Sequence, residues 1–449
     1  MQKKIANRPY STGSGVVRFT AKIFLFAAII LLSELLVSPS FARAGALCGA
    51  GGPAAAGDTL SRLNVLPSAT AGADTAVAAL SAPALAYLAE QKRADSAGFF
   101  RRVVNYFRNA NKPDTTRNFH FAFLPGPHYS STTGFGIGMA ATGTYLMDFQ
   151  DKSLPKSNVA IYGDVTSKKF FMVGVKGTNI FPQERYRLDY RLYAYTFTTH
   201  YWGIGYDEGR VDSLETDYRR IRYDAQASFL FRVAPKMYIG PSAAFHYIRA
   251  TDIEQHPPYV FAGLPLSVRS ASLGISFVYD TRDFILNAAR GWFVQFDQNF
   301  TPRFLGNGDH CYSTSELTVS TYRRVWQGAI LAGELHGKFN YDGTPAWCLL
   351  ADAGSQGRMR GYYEGRYRDR SIIEAQVELR QYISGRSGAV VWLGAAEVFP
   401  KFSALRFRKI LPNAGVGYRW EFMPRVNVRL DLGFTRDGAG FMFNLNEAF

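Results

Sequence analysis

The chain has 449 residues, a formal net charge of +15, 15% aromatic and only 19% charged residues, with 26 Tyr, 35 Phe and 42 Gly. A mean hydropathy of −0.11, with no run of about eighteen or more apolar residues past the N-terminus, excludes a bundle of membrane-spanning helices. Few charges with many aromatics and glycines point instead to an all-β membrane barrel rather than a soluble enzyme.

At the N-terminus, Lys3, Lys4, Arg8, Arg18 and Lys22 precede an apolar run from Ile23 to Val37. Ser40-Phe41-Ala42 and Ala42-Arg43-Ala44 offer small-x-small cleavage sites after it. Residues 1–44 therefore read as a secretory signal peptide. Leu47 before Cys48 argues against lipidation. Residues 1–44 hold six basic residues and one acidic residue, so their removal lowers the net charge from +15 to +10. Export argues against a nucleic-acid partner. It leaves outer-membrane lipid, anionic lipid A included, as a contact for a basic chain.

Residues 45–117 read as a flexible and helical periplasmic segment. Gly45 to Pro67 is Ala/Gly-rich and aperiodic. From Ala71 to Phe107 an apolar stripe of Val77, Leu80, Leu85 and Leu88, continued by Phe99, Val103 and Phe107, has helical spacing. The segment leaves no room for a periplasmic α/β module.

From Asn118 the period becomes two. Val426, Val428, Leu430, Leu432 and Phe434 alternate with Asn427, Arg429, Asp431 and Gly433. Ile373, Ala375, Val377 and Leu379 alternate with Glu374, Gln376, Glu378 and Arg380. Apolar-out and polar-in strands of this length are outer-membrane strands, and in lipid their sheet must close. The pattern predicts a 16-stranded antiparallel transmembrane β-barrel over 118–449. Its first strand is expected at 118–125 and its last at 439–449. Short turns face the periplasm and longer loops face outward, the sixth of these spanning 343–369. The last strand places Phe441, Phe443, Leu445 and Phe449 on one apolar face, a C-terminal signature of barrel proteins. Cys311 and Cys348 fall in neighbouring surface loops and either pair in an oxidising envelope or remain free thiols.

The sixth loop carries Arg358-Met359-Arg360-Gly361-Tyr362-Tyr363-Glu364-Gly365-Arg366-Tyr367-Arg368-Asp369-Arg370. Between two alternating strands of an exported chain, this stretch reads as a loop folded back into a polar lumen.

Three stretches together resemble the BamA/TamA family, the bacterial surface antigen superfamily, in its Bacteroidetes-type form. Met359-Arg360-Gly361-Tyr362 is similar to the family's (V/I)RG(F/Y) motif at the tip of the sixth loop. Tyr279-Asp280-Thr281-Arg282-Asp283 with Arg290-Gly291-Trp292 is similar to its YDTRD…RG periplasmic turn. The C-terminal strand is the third. The resemblance covers about residues 118–449. It implies that Arg360, Gly361 and Tyr362 pin the loop to the inner wall, and that Asp280, Arg282 and Asp283 build the turn. It further implies a role in inserting or translocating envelope components through a lateral seam between the first and last strands. Client outer-membrane proteins and periplasmic or lipoprotein partners follow from the same resemblance. A passive pore or a structural, surface-binding barrel is the alternative reading.

Two departures stand out. The family's Asp in an FxDxG motif is replaced by Gly394 within Trp392-Leu393-Gly394-Ala395-Ala396. Glu378 is then the favoured partner of Arg360, with Glu374 and Glu397 as substitutes. The family's periplasmic POTRA modules are not expected before residue 118.

An enzyme is not indicated. The seven histidines sit in no nucleophile motif, His310-Cys311 is not a zinc framework, and no Walker loop or GxSxG occurs. No metal or cofactor is expected.

Overall fold

In a computed structural model, the described residues run from 119 to 449, apart from 131–133, 149, 152–153, 168–169, 255–258, 309 and 356. The chain divides into two units. In the Ser14–Ala110 unit only Gly98, Arg101, Arg102 and Asn105 are described, and all four are helical. The signal-peptide and linker readings lie outside the described residues.

The second unit is a 16-stranded antiparallel barrel in which each strand pairs with the next one in the chain. Its first half comprises β1 (Phe119–Ser130), β2 (Gly134–Tyr145), β3 (Ser157–Thr166), β4 (Phe171–Ile180), β5 (Tyr186–Tyr201), β6 (Thr216–Ala234), β7 (Met237–Thr251) and β8 (Ser267–Asp280). The second half begins with β9 (Gly291–Thr301), β10 (Tyr312–Trp326) and β11 (Ala329–Tyr341). Within the sixth loop, β12 (Ala351–Asp352) and β13 (Arg368–Asp369) form a separate two-residue ribbon. The barrel then resumes with β14 (Ser371–Ser384), β15 (Ser387–Phe399), β16 (Leu411–Met423), β17 (Val426–Thr435) and β18 (Gly438–Leu445).

The period of two sorts side chains as lipid and water require. On β15, Leu393 is 70% exposed to the outside while its neighbour Trp392 is 2% exposed inside. On β14, Val377 faces out and Glu378 is wholly buried. Two-residue turns at 235–236, 327–328, 385–386 and 424–425 close the periplasmic end, with Lys236, Gly328, Gly385 and Arg425 at positive φ. Loops 202–215, 252–266, 342–370 and 400–410 lie at the opposite, outer end. Across that outer mouth Tyr206 stacks on Tyr367 at 5.8 Å, and Lys409 reaches Asp207 at 2.6 Å.

Two ends of the sheet differ from the sequence reading. Pro125 does not end the first strand: β1 continues through Pro125-Gly126-Pro127 to Ser130 in unbroken register with β2. Both prolines have the same parity. Their missing N–H groups therefore point away from β2, which only an edge strand tolerates. At the other end β18 stops at Leu445, because Asn446 takes φ +68° and turns the chain inward. Phe441 and Phe443 are 69% and 54% exposed on the outer wall, but Leu445 is buried and Phe449 packs on Tyr322 inside. The four residues do not share one face. The turn at Asn446 breaks the alternation that the primary structure extends to Phe449.

Candidate functional site: the arginine loop and its luminal clasp

The sixth loop folds into the lumen and brings Arg360 to full burial. Its guanidinium donates to Glu378 Oε2 at 2.5 Å and to Asp431 Oδ2 at 3.0 Å. The face of Trp392 lies 3.7 Å from its centre. The pairs continue round a closed circuit. Glu378 also accepts from Arg380 at 2.6 Å, and Arg380 reaches Glu447 at 3.7 Å. Glu447 accepts from Arg419 at 2.8 Å, and Arg419 donates to Asp431 at 2.6 Å, back beside Arg360. Arg429 adds a further contact to Asp431 at 3.4 Å. Every side chain in this circuit is at most 5% exposed.

Burying one guanidinium without carboxylates costs several kcal/mol. Here each cation meets at least one carboxylate, and those charge-assisted contacts offset the burial. The circuit joins four pieces of chain distant in sequence: the loop tip, β14, the β16–β17 hairpin and the C-terminal tail. Its chemistry is that of a latch.

The rest of the tip is fitted by shape. Gly361 has φ +108°, and a Cβ there would lie 2.8 Å from Thr435 Cγ2 and 2.9 Å from the Gly433 carbonyl. A Cβ on Gly433 would meet the Arg360 carbonyl oxygen at 2.3 Å, and one on Gly440 would lie 3.0 Å from the Gly361 Cα. The loop backbone therefore lies directly on β17 and β18. Tyr362 donates its hydroxyl to the Pro412 carbonyl at 2.8 Å, and burial pushes that phenol up to about 12. Tyr367 donates to Asp437 at 3.0 Å in the outer turn between β17 and β18, and Arg366 reaches the same carboxylate at 3.5 Å.

The remaining sequence candidates fall elsewhere. Glu374 lies 2.9 Å from His336 Nδ1 and 3.7 Å from Arg358, which also pairs with Glu334. It does not meet Arg360. Glu397 is on the outward parity of β15 and accepts from the Arg406 backbone N–H at 2.7 Å, so it is no luminal partner. Gly394 leaves space that Asn413 fills: a Cβ there would sit 2.3 Å from Asn413 Oδ1. Asn413 Nδ2 in turn donates to the Arg360 carbonyl at 3.0 Å. Asp280, Arg282 and Asp283 lie together where β8 leads into the connection to β9. Arg282 grips Asp280 at 2.9 and 2.7 Å, Arg187 adds a third bond at 2.9 Å, and Asp283 accepts from the Ala289 N–H and from Arg425. Cys311 and Cys348 are free thiols, so the disulfide considered above is not formed. At the outer rim His200, Glu215 and Asp217 gather within 4.8 Å, where both carboxylates face the His200 ring nitrogen.

Sequence reasoning passed over Asp431, Arg380, Arg419, Glu447, Trp392 and Asn413. Asp431 and Arg380 were visible as inward charges on otherwise apolar strands. Each has an opposite charge two residues away on its own strand, Arg429 for Asp431 and Glu378 for Arg380, so along the strand both read as local pairs and gave no sign of partners across the lumen.

Fold and clasp together define a class: a Gram-negative outer-membrane barrel whose arginine-bearing surface loop is drawn into its own lumen. The chain belongs to the Omp85 superfamily, whose domain model matches residues 144–449. Among solved structures it is similar to BamA from Haemophilus ducreyi lacking POTRA domains 1–3, at 14% identity and a TM-score of 0.46 over 74% of this chain and 69% of that one. It is also similar to CdiB from Acinetobacter baumannii, at 9% identity and a TM-score of 0.45 over 74% of this chain and 60% of that one. No curated protein sequence matches the chain.

Proposed function

We propose that this barrel inserts or translocates other outer-membrane components through the seam between β1 and β18, with the arginine loop holding the β18 side in place. The observation that carries this reading is the loop tip lying backbone to backbone on β17 and β18, locked by the Arg360 circuit. A latch that grips the edge hairpin belongs with a sheet whose edge is used. The other edge supports it. Pro125 and Pro127 withdraw two donors from the free side of β1, and among the described residues no ladder joins β1 to β18. Those prolines leave β1 a poor partner for β18, whereas the β18 edge, Gly438–Leu445, carries no proline and keeps its donors and acceptors for an incoming strand.

The test is in-cell photocrosslinking from Phe443, replaced by a benzophenone amino acid on the outer face of β18. The reading expects adducts with other barrel proteins during their synthesis. A lipid-only adduct pattern, unchanged when barrel-protein synthesis is blocked, sinks it and leaves a passive pore or structural barrel.

A further inference from the structure

The loop between β15 and β16, residues 400–410, does not stand clear of the barrel. It folds down over the outer wall. Phe402 packs on Phe339 at 5.1 Å and on Phe399 at 5.5 Å, both on outward positions of β11 and β15. The Arg406 N–H closes on the outward Glu397 at 2.7 Å. This strap explains why Phe399 and Glu397 are only 1% and 8% exposed although they point toward lipid.

The outer face of the strap combines exposed aromatic rings with cations unpaired among the described residues. Phe407 is 93% exposed and Phe402 62% exposed, on the side of the barrel where the outer leaflet begins. Lys401, Arg406, Arg408 and Lys409 accompany them, and residues 400–410 contain no acidic residue. Lys409 is spent on Asp207. Among the described residues no carboxylate lies within ion-pair distance of Lys401, Arg406 or Arg408. Among the described residues the Arg406 guanidinium meets only the carbonyls of Ser403 and Leu405, in its own loop. Cations on the lipid side of a barrel are tolerated near the interface and costly deeper in. Guanidinium forks match phosphate oxygens in pairs, and an aromatic ring beside them enters the acyl layer.

We propose that residues 400–410 form a binding site for the phosphates of an outer-leaflet glycolipid of the lipid A class. Lys401, Arg406 and Arg408 hold the phosphates, and Phe407 sits among the acyl chains. The site is on the outer wall, away from the Arg360 circuit, and does not depend on the assembly role proposed above.

Native mass spectrometry of the folded full-length protein tests this, with bisphosphorylated lipid A, its dephosphorylated form and phosphatidylglycerol as separate probes. The wild type is expected to retain bisphosphorylated lipid A. The Lys401→Ala, Arg406→Ala, Arg408→Ala triple variant should retain it at least about tenfold more weakly, as loss of charge-assisted bonds implies. Lys401→Gln with Arg408→Gln, both exposed side chains, is the second variant should the triple variant fail to fold. Equal retention by either folded variant, or equal retention of the dephosphorylated form or of phosphatidylglycerol by the wild type, overturns the proposal.

Discussion

Gly361 of the arginine loop rests on Gly433 of β17 with no side chain between them. A Cβ on either residue would collide with the backbone of the other segment, at 2.9 Å from one side and 2.3 Å from the other. The loop cannot lie where it does unless both positions are glycine.

Gly433→Ala should therefore lift the tip off the hairpin. Strain of this kind costs about 1–3 kcal/mol, and release of the loop relieves it. Urea unfolding in lipid vesicles should show a lower midpoint, and external protease should reach loop 342–370. A substitution silent in both measurements contradicts the close approach.

Asp431 is shared by Arg360, Arg419 and Arg429 at 3.0, 2.6 and 3.4 Å. Removal of one buried partner leaves uncompensated charge, worth about 3–5 kcal/mol. Asp431→Asn should destabilise the barrel more than Glu374→Gln, because Glu374 stands outside the circuit. Equal losses in the two variants would mean that the circuit holds nothing beyond its local pairs.

Burial pushes the Cys348 thiol up to about 11, against the opposing pull of Arg368 and Arg222. Its thiolate fraction at pH 8 is then roughly a hundredfold below that of an ordinary thiol. Iodoacetamide should label it at a correspondingly slow rate in the folded barrel and quickly after unfolding. Rapid labelling in the folded state, or no free thiol at all, contradicts the placement of residues 347–349.

The periplasmic turn carries a pH signature. Burial works to raise the Asp283 carboxyl, but the Ala289 N–H and the Arg425 guanidinium outweigh it and hold the group below its ordinary value. A depressed carboxylate stabilises above its unfolded value, about 3.9, and that contribution is lost as pH falls through the folded value. Asp283→Asn should flatten the loss of stability below about pH 4. An acid limb as steep as that of the wild type would show that Asp283 carries none of it.

The barrel was legible because lipid on one side and water on the other force the same two-residue period on every strand. Val426–Phe434 announces this in nine letters. Glu378 beside Arg360 was also within reach, since both inward parity and charge could be read from the 371–380 strand. What could not be read was anything set across the lumen. Asp431 lies seventy-one positions from Arg360, and Glu447 turns inward only because Asn446 leaves the strand. Glu397 misled for a related reason: a charge on the lipid side is unexpected until strap 400–410 is seen to cover it. The glycine at 394 looked like a missing clasp, yet Asn413 and Asp431 supply that clasp from two neighbouring strands.

The central claim is that Arg360 fastens the sixth loop inside the barrel. Trypsin added to the outside of folded protein tests it directly, since Arg358, Arg366, Arg368 and Arg370 remain as cleavage sites when Arg360→Ala is introduced. With heat-modifiable mobility showing an intact barrel, the wild-type loop should resist and the variant should be cut between residues 358 and 370. Identical digestion of the two proteins would contradict the account.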